Sequence, residues 1–365
     1  MKITGIRLGT ISAPLRTPFI TALRRADDIR DVLIEVQTDD GAVGYGEAPP
    51  TAVITGDTTE SIRSAIANWI APAITGRDVR DLEEVLSAIQ GSLVHNSSAK
   101  AAADMAVYDL FGQYYQIPVH RLLGSVRREI KTDLTISARE PEVMAEDAVR
   151  AVRRGFDCLK LKVGVDPKLD VARLSAVREA VGDEVCIRID ANQAWKPAEA
   201  VRILNAMQEQ GLGLELVEQP VPARDLEGLA YVRQHSYVPV MADEAAFGEQ
   251  DVLRILQMHA ADMVNIKLMK CGGIYPATKI AALCDVYGVE CMIGCMLETK
   301  VSVNAAAAFA CGQRCVVRAD LDGPGLCAEE PSIGGADFNE QLIVMNEAPG
   351  LGITGFKDGY VSWDS

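Results

Sequence analysis

Residues 158 to 267 contain the runs CLKLKV (158–163), VCIRID (185–190), LELVE (214–218), VPVMAD (238–243) and MVNIK (263–267). A charged residue stands at or beside the end of each: Lys162, Asp190, Glu218, Asp243 and Lys267. Successive charges are 28, 28, 25 and 24 residues apart, the length of one strand, one helix and two connections. Amphipathic stretches such as KLDVARLSAVREAV and PAEAVRILNAMQEQ fill the intervals, with apolar residues at helical spacing. Three more strand-length runs, DLTIS (133–137), VECMIG (289–294) and CVVRAD (315–320), bring the number to eight, and the last ends on Asp320. Eight strands alternating with helices predict an α/β chain built on a closed parallel barrel with right-handed crossovers.

The chain before this region has another style. Residues 2 to 12, 30 to 38 and 42 to 48 read as strands, and Asp39-Asp40-Gly41 is turn chemistry, so an antiparallel meander is predicted. Helices follow. Asp57 with Glu60 forms a capping-box pattern for a helix running to about 70, and Ser98 opens a long helix through AKAAADMAVYDLFGQYY. The Gly-rich tail after 328 is too short for its own core. The expected division is residues 1–125 as an α+β domain, 126–327 as the barrel and 328–365 as a segment returning to the first domain.

At 365 residues a barrel with a smaller partner domain fits the length, and 48% hydrophobic with 24% charged residues is the composition of a packed globule. A net charge of −15 argues against nucleic acid and anionic membrane partners, which require clustered Lys and Arg. The nine cysteines are odd in number and sit mostly in apolar runs, as reduced thiols do in the cytoplasm. The spacings Cys291-x3-Cys295 and Cys311-x3-Cys315 lack the knuckle turns of zinc ribbons. No secretory h-region and no apolar run long enough to span a bilayer is present, so a cytoplasmic location is expected.

Strand parity assigns the faces. Alternate residues share a face, so Lys160 and Lys162 oppose Leu159, Leu161 and Val163. If the helices cover the apolar set, the lysines point into the barrel. The same parity turns Asp190, Glu218, Asp243, Asn265 and Lys267 inward, towards the carboxyl-terminal rim where barrel sites are built.

Asp190, Glu218 and Asp243 then offer three hard oxygen ligands on consecutive strands. This suits one Mg2+, with Mn2+ as a substitute, and not zinc. Ion pairing inside the barrel is the alternative use of such carboxylates. Lys162 and Lys267 flank the cluster from the strands before and after it. Either could be a counter-ion, but Lys160, two residues from Lys162 on the same face, is expected to lower the basicity of Lys162 by like-charge repulsion. A divalent ion with two opposed lysines suits proton transfer at a carbon next to a carboxylate, with inversion of that centre.

The motifs LKLKVG, DANQAW (190–195), EQP (218–220), ADE (242–244) and NIKLMKCGGI (265–274) resemble those of the enolase superfamily, in its muconate-lactonizing-enzyme subgroup. The resemblance extends over the whole chain. It implies a modified TIM barrel, (β/α)7β, under an N-terminal α+β capping domain. It also implies Asp190, Glu218 and Asp243 as magnesium ligands, Lys162 and Lys267 as the acid/base pair, and Lys160, Asn192 and Glu244, with Asn265 beside them, as supporting groups. No His stands on the seventh strand, which disfavours the branch that uses a histidine base.

Substrate class rests on the remaining residues. RADLDGP sets Asp320 and Asp322 on one face, and a substrate ammonium is one cation that could join them. A solvated loop, or a salt bridge to Arg318, is the other reading. By resemblance, Asp-x-Asp here marks dipeptide epimerases. The segments TPFITALRRADD (17–28) and GEAPPTAVITGDT (46–58) are similar to those of L-Ala-D/L-Glu epimerases, which implies Arg24 as the binder of a side-chain carboxylate. Thr135 and the backbone near Glu298 are expected to complete the pocket. The implied activity is an isomerase reaction on a dipeptide, in turnover of cell-wall peptides, by a homo-oligomer. A cycloisomerase or o-succinylbenzoate synthase of the same subgroup, and a non-catalytic metal-binding barrel, remain as alternatives.

Overall fold

The computed structural model describes residues 1–20 and 25–364. Its N-terminal sheet is antiparallel, with Ile3–Ile20 paired to Arg25–Thr38 and that strand paired to Val43–Ala48. Val361–Trp363 joins the free side of the first strand, with Gly9 opposite Trp363 and Ile11 opposite Val361, so the C-terminal chain returns to this sheet. Residues 17–20 and 25–28 belong to these first two strands. After a register shift beyond Pro14, pairing resumes at Phe19 with Ala26 and Ile20 with Arg25.

Helix Ser97–Tyr115 lies on this sheet at very close range. A Cβ added at Gly44 would sit 2.2 Å from the Ala106 carbonyl oxygen, and one at Gly46 would sit 2.0 Å from that of Ala102. The glycines on the strand and the alanines on the helix are therefore one feature, a contact that no larger side chain permits. The helix starts at Ser97, one residue before the expected position, and Ser98 N donates to Asp57 Oδ2 at 3.2 Å. Asp57 is thereby engaged by the later helix. The capping box of the earlier one falls a residue further on, with Ser61 N on Thr58 Oγ1 at 3.2 Å and Thr58 N on Ser61 Oγ at 2.8 Å.

The eight barrel strands are Leu134–Ile136, Cys158–Lys162, Cys186–Asp190, Leu214–Glu218, Val240–Ala242, Met263–Lys267, Glu290–Gly294 and Val316–Asp320, all parallel and adjacent in chain order. A parallel bridge between Thr132 and Ala319 brings the last strand to the first. Leu159, Leu161, Ile187, Ile189, Val217 and Ile266 are buried on the outer face under the helices. Each such side chain contributes about 1.5–3 kcal/mol of burial free energy. Leu216, Met241, Met263 and Met292 pack together as a separate cluster inside the barrel. These apolar side chains fill the middle of the barrel beside the buried Arg188–Asp133 ion pair, and the cluster of carboxylates and lysines stands at the rim.

Two acidic side chains of the N-terminal region fasten it to the barrel. Asp104 accepts from Ile274 N at 2.6 Å and Tyr275 N at 3.2 Å, at the start of helix Ile274–Tyr287. Glu47 accepts from Thr299 N at 2.8 Å, Thr299 Oγ1 at 2.9 Å and Ser302 N at 3.0 Å, at the start of helix Lys300–Gly312. Carboxylates at helix N-termini satisfy amides that have no partner within the helix. All nine cysteines are free thiols. No helix among the described residues is long and apolar enough to cross a membrane.

Candidate active site

The strand ends bring together the charges that the sequence spaced apart. Lys162 Nζ donates to Asp190 Oδ2 at 2.5 Å, and Lys267 Nζ donates to Asp243 Oδ2 at 2.8 Å. Lys267 Nζ also stands 3.9 Å from Glu218 Oε1, which accepts from Asn265 Nδ2 at 2.8 Å. Asn192 donates to Glu244 Oε1 at 3.1 Å through its amide group and to Asp190 Oδ1 at 2.8 Å through its backbone N. All of these residues are buried. Lys162 and Lys267 belong to the second and sixth of eight strands, on opposite walls of the barrel.

Two residues of the site escaped the sequence reading. Lys270, one helical turn after Lys267, is buried and donates to Asp243 Oδ1 at 2.6 Å and to Asn265 O at 2.8 Å. Gln219 follows Glu218 with φ +34°, and its Oε1 accepts from Asp243 N at 2.9 Å and Ala245 N at 3.0 Å. Its side chain thus ties the end of the fourth strand to the backbone just past the fifth, at Asp243 and Ala245. For Lys270 the signal was the i, i+3 spacing from Lys267. For Gln219 the only signal was its place beside a ligand candidate.

Several expectations need correction. Lys160 does not stand as a bare charge beside Lys162. It donates to Asp320 Oδ2 and lies 3.6 Å from Glu218 Oε2. Burial alone would lower its pKa, but Asp320 and Glu218 outweigh burial and raise it well above the ordinary lysine value. Asp320 therefore has an internal ammonium partner. The Arg318 alternative fails, because Arg318 pairs with Glu215 and Glu290. Thr135 offers its backbone N to Asp322 Oδ2 at 2.7 Å. Glu298 turns its carboxylate back on its own loop, accepting from Met296 N at 2.5 Å and from Ser302 Oγ, and burial pushes it up to about 7. Arg24 lies outside the described residues. Its neighbour Arg25 pairs with Asp27 at 2.9 Å.

Phe19, Val53 and Ile54 of the N-terminal region close over Thr135, Met296, Leu297 and Leu326, leaving a cavity of about 40 Å³ above the lysines. A larger cavity of about 330 Å³ on the barrel flank shares only Asp322 with it, so the converging charges and not the volume mark the site. Gly294 keeps the seventh strand clear of this centre. A Cβ there would meet Asn265 Oδ1 at 2.7 Å and Lys267 Cε at 2.9 Å.

The carboxylates fit a hard divalent cation. Asp190, Glu218 and Asp243 present only oxygen, and Glu218 Oε2 is a buried atom without a hydrogen-bond donor. Burial first, and then the charges of Asp190 and Asp243, push Glu218 up to about 7, a local shortage of positive charge. Asp243 goes the other way. Burial would raise it, but Lys267 and Lys270 hold it far below the usual carboxylate range.

Two family models match the chain. Mandelate racemase / muconate lactonizing enzyme, N-terminal domain covers residues 4–124, and Enolase C-terminal domain-like covers residues 143–358. An L-Ala-D/L-Glu epimerase of Clostridium acetobutylicum is 50% identical over 98% of this chain and 100% of its own. A substrate-liganded L-Ala-D/L-Glu epimerase from Bacillus subtilis superposes with TM-score 0.96 at 45% identity, over 98% of this chain and 100% of that one. A dipeptide epimerase from Enterococcus faecalis, complexed with Mg and the dipeptide L-Leu-L-Tyr, gives TM-score 0.94 at 42% identity, over 97% and 100%.

Proposed function

The chain belongs to the mandelate racemase / muconate lactonizing enzyme family, and we propose that it is a magnesium-dependent dipeptide epimerase, acting at the α-carbon of the C-terminal residue. The observation that carries this reading is the single rim holding three carboxylates, two lysines on opposite walls and a separate pair, Asp320 and Asp322. L-Ala-D/L-Glu is the assigned dipeptide, after the relatives of that name.

Asp190, Glu218 and Asp243 would hold the Mg2+. A Mg2+ held there would supply electrophilic stabilisation for the charge that develops on a substrate carboxylate. Lys162 faces the α-carbon from one wall and Lys267 from the other. One lysine must be a neutral amine when the other is an ammonium: the amine removes the α-proton, and the opposite ammonium returns one to the far face, inverting the centre. Lys160 adds positive charge beside the substrate carboxylate, and Asn192, Glu244 and Asn265 fix the orientation of the ligand set. Asp320 and Asp322 take the α-ammonium of the N-terminal residue, Thr135 and the backbone at Glu298 border the dipeptide, and Arg24 takes the Glu side chain. Residues 1–125 act as the cap, 126–327 as the catalytic barrel and 328–365 as the returning segment. The enzyme works in the cytoplasm as a homo-oligomer, on peptides released from the cell wall.

Incubation with L-Ala-L-Glu and Mg2+ in deuterated water tests the reading. Deuterium appears at the Glu α-carbon together with L-Ala-D-Glu. Absence of exchange with every dipeptide tried overturns it, and lactone or succinylbenzoate chemistry in place of exchange favours the cycloisomerase or synthase alternative.

A further inference from the structure

At the opposite end of the barrel, where the second, third and fourth strands begin, Cys158, Cys186 and Glu215 bring one ligand atom each to within 4.8 Å of one another. Cys158 and Cys186 are register partners on adjacent parallel strands. The Cys186 thiol donates to Glu215 Oε2 at 3.1 Å. We propose that these three side chains form a second metal site, selective for a thiophilic divalent cation of the zinc and cadmium class and independent of the magnesium centre.

The chemistry of the donors separates the two sites. Thiolates bind zinc and cadmium strongly and magnesium poorly, whereas the rim offers only carboxylates. Zinc–sulfur bonds of about 2.3 Å need sulfurs that approach to about 4 Å, and side chains gathered this closely reach that by small rotations. Binding replaces protons: one dication displaces the two thiol protons, which leave to solvent, with no change in oxidation state. The Cys186 S–H already points along the line to Glu215 that an ion would occupy.

Two guanidinium groups complete the arrangement. Arg188 Nε donates to Glu215 Oε2 at 2.6 Å and Arg318 Nε to Glu215 Oε1 at 2.7 Å. They fix the carboxylate, and the Oε2 lone pair that now accepts from Cys186 is freed when that thiol loses its proton. Two thiolates and a carboxylate around a dication carry excess negative charge, which these arginines offset. Glu215 is 27% exposed, giving an ion access from the barrel floor.

A second thiol group offers an internal control. Cys291 hydrogen-bonds with Cys284 and Cys315. The Mg2+-loaded protein is titrated with Cd2+, following the sulfur-to-cadmium charge-transfer band in the near ultraviolet. Peptide mass spectrometry then scores iodoacetamide labelling of each cysteine with and without Cd2+. The expected result is about one Cd2+ per chain at a three-ligand site, loss of the band in Cys186→Ser, at least about tenfold weaker binding in Glu215→Gln, and an unchanged band in Cys291→Ser. Cys158 and Cys186 become protected from labelling in the unmodified protein. A band that survives Cys186→Ser, or equal labelling of both thiols with and without Cd2+, overturns the site, and the labelling arm requires no variant to fold.

Discussion

Lys162 and Lys267 stand four strands apart in an eight-stranded barrel, and each is hydrogen-bonded to a different member of one carboxylate cluster, Asp190 at 2.5 Å and Asp243 at 2.8 Å. Two ammonium groups on opposite walls above one group of oxygen ligands can address both faces of a single carbon. That relationship is what a two-base inversion requires, and the surrounding residues supply its supports.

Asp320 and Asp322 separate a dipeptide epimerase from other activities built on the same centre. A charge-assisted hydrogen bond to an ammonium contributes about 1.5–3 kcal/mol, so Asp322→Asn is expected to raise KM for L-Ala-L-Glu by about 10- to 100-fold. The same change should matter little for an N-acetylated dipeptide, which has no ammonium. Steady-state kinetics on both substrates decide this, and equal effects on the two remove the ammonium role.

Gly294 guards the position of Lys267. In Gly294→Ala the new methyl meets Asn265 Oδ1 and Lys267 Cε inside contact distance. Misplacing a reacting group by about 1 Å can cost on the order of 100-fold, so kcat should fall by about that factor with the far-ultraviolet circular dichroism unchanged. A variant with full kcat shows that Lys267 does not need this clearance.

Gln219 anchors the backbone of Asp243 and Ala245 from the neighbouring strand. Removing such an outer support typically weakens metal binding by about 10- to 100-fold. Isothermal titration of Gln219→Ala with Mg2+ should show a loss of that order. An unchanged Kd means the carboxylate is held by Lys267 and Lys270 alone.

Asp109 gives a pH signature in stability, away from the site. It accepts from Leu351 N at 2.7 Å and Tyr45 N at 3.3 Å, and burial pushes it from 3.8 up to about 6. A raised carboxyl holds its proton longer in the folded state than in the unfolded one. Its contribution is therefore full below about pH 4 and is lost as pH rises towards 6, by about 3 kcal/mol. Comparing denaturant midpoints of the parent chain and Asp109→Asn across that window should show the parent falling by this amount relative to the variant. Parallel curves contradict it.

The charges on alternating strand positions were legible from the sequence because the period of two fixes a face and the length of the strand-helix unit fixes the rim. What the sequence hid depended on single backbone angles and distant partners. Asp57 has the composition of an N-cap, yet Ser98 N, 41 residues on, engages its carboxylate, and Thr58 takes the box. Lys160 has the pattern of a repelling neighbour to Lys162, but strand eight closes beside strand one and brings Asp320 to it across the barrel. Gln219 reaches Asp243 only because its backbone turns left-handed at that step. Closure of the sheet and local φ are invisible to a reading of spacing alone.

The division of labour between the lysines is tested most directly by following α-carbon exchange in deuterated water for Lys267→Ala with L-Ala-L-Glu and with L-Ala-D-Glu separately. The two-base account predicts that net epimerisation falls by about 1,000-fold or more, while exchange persists from the one epimer whose α-proton faces Lys162, and that Lys162→Ala shows the reverse preference. Exchange from both epimers in either variant, or epimerisation at the parent rate, would contradict it.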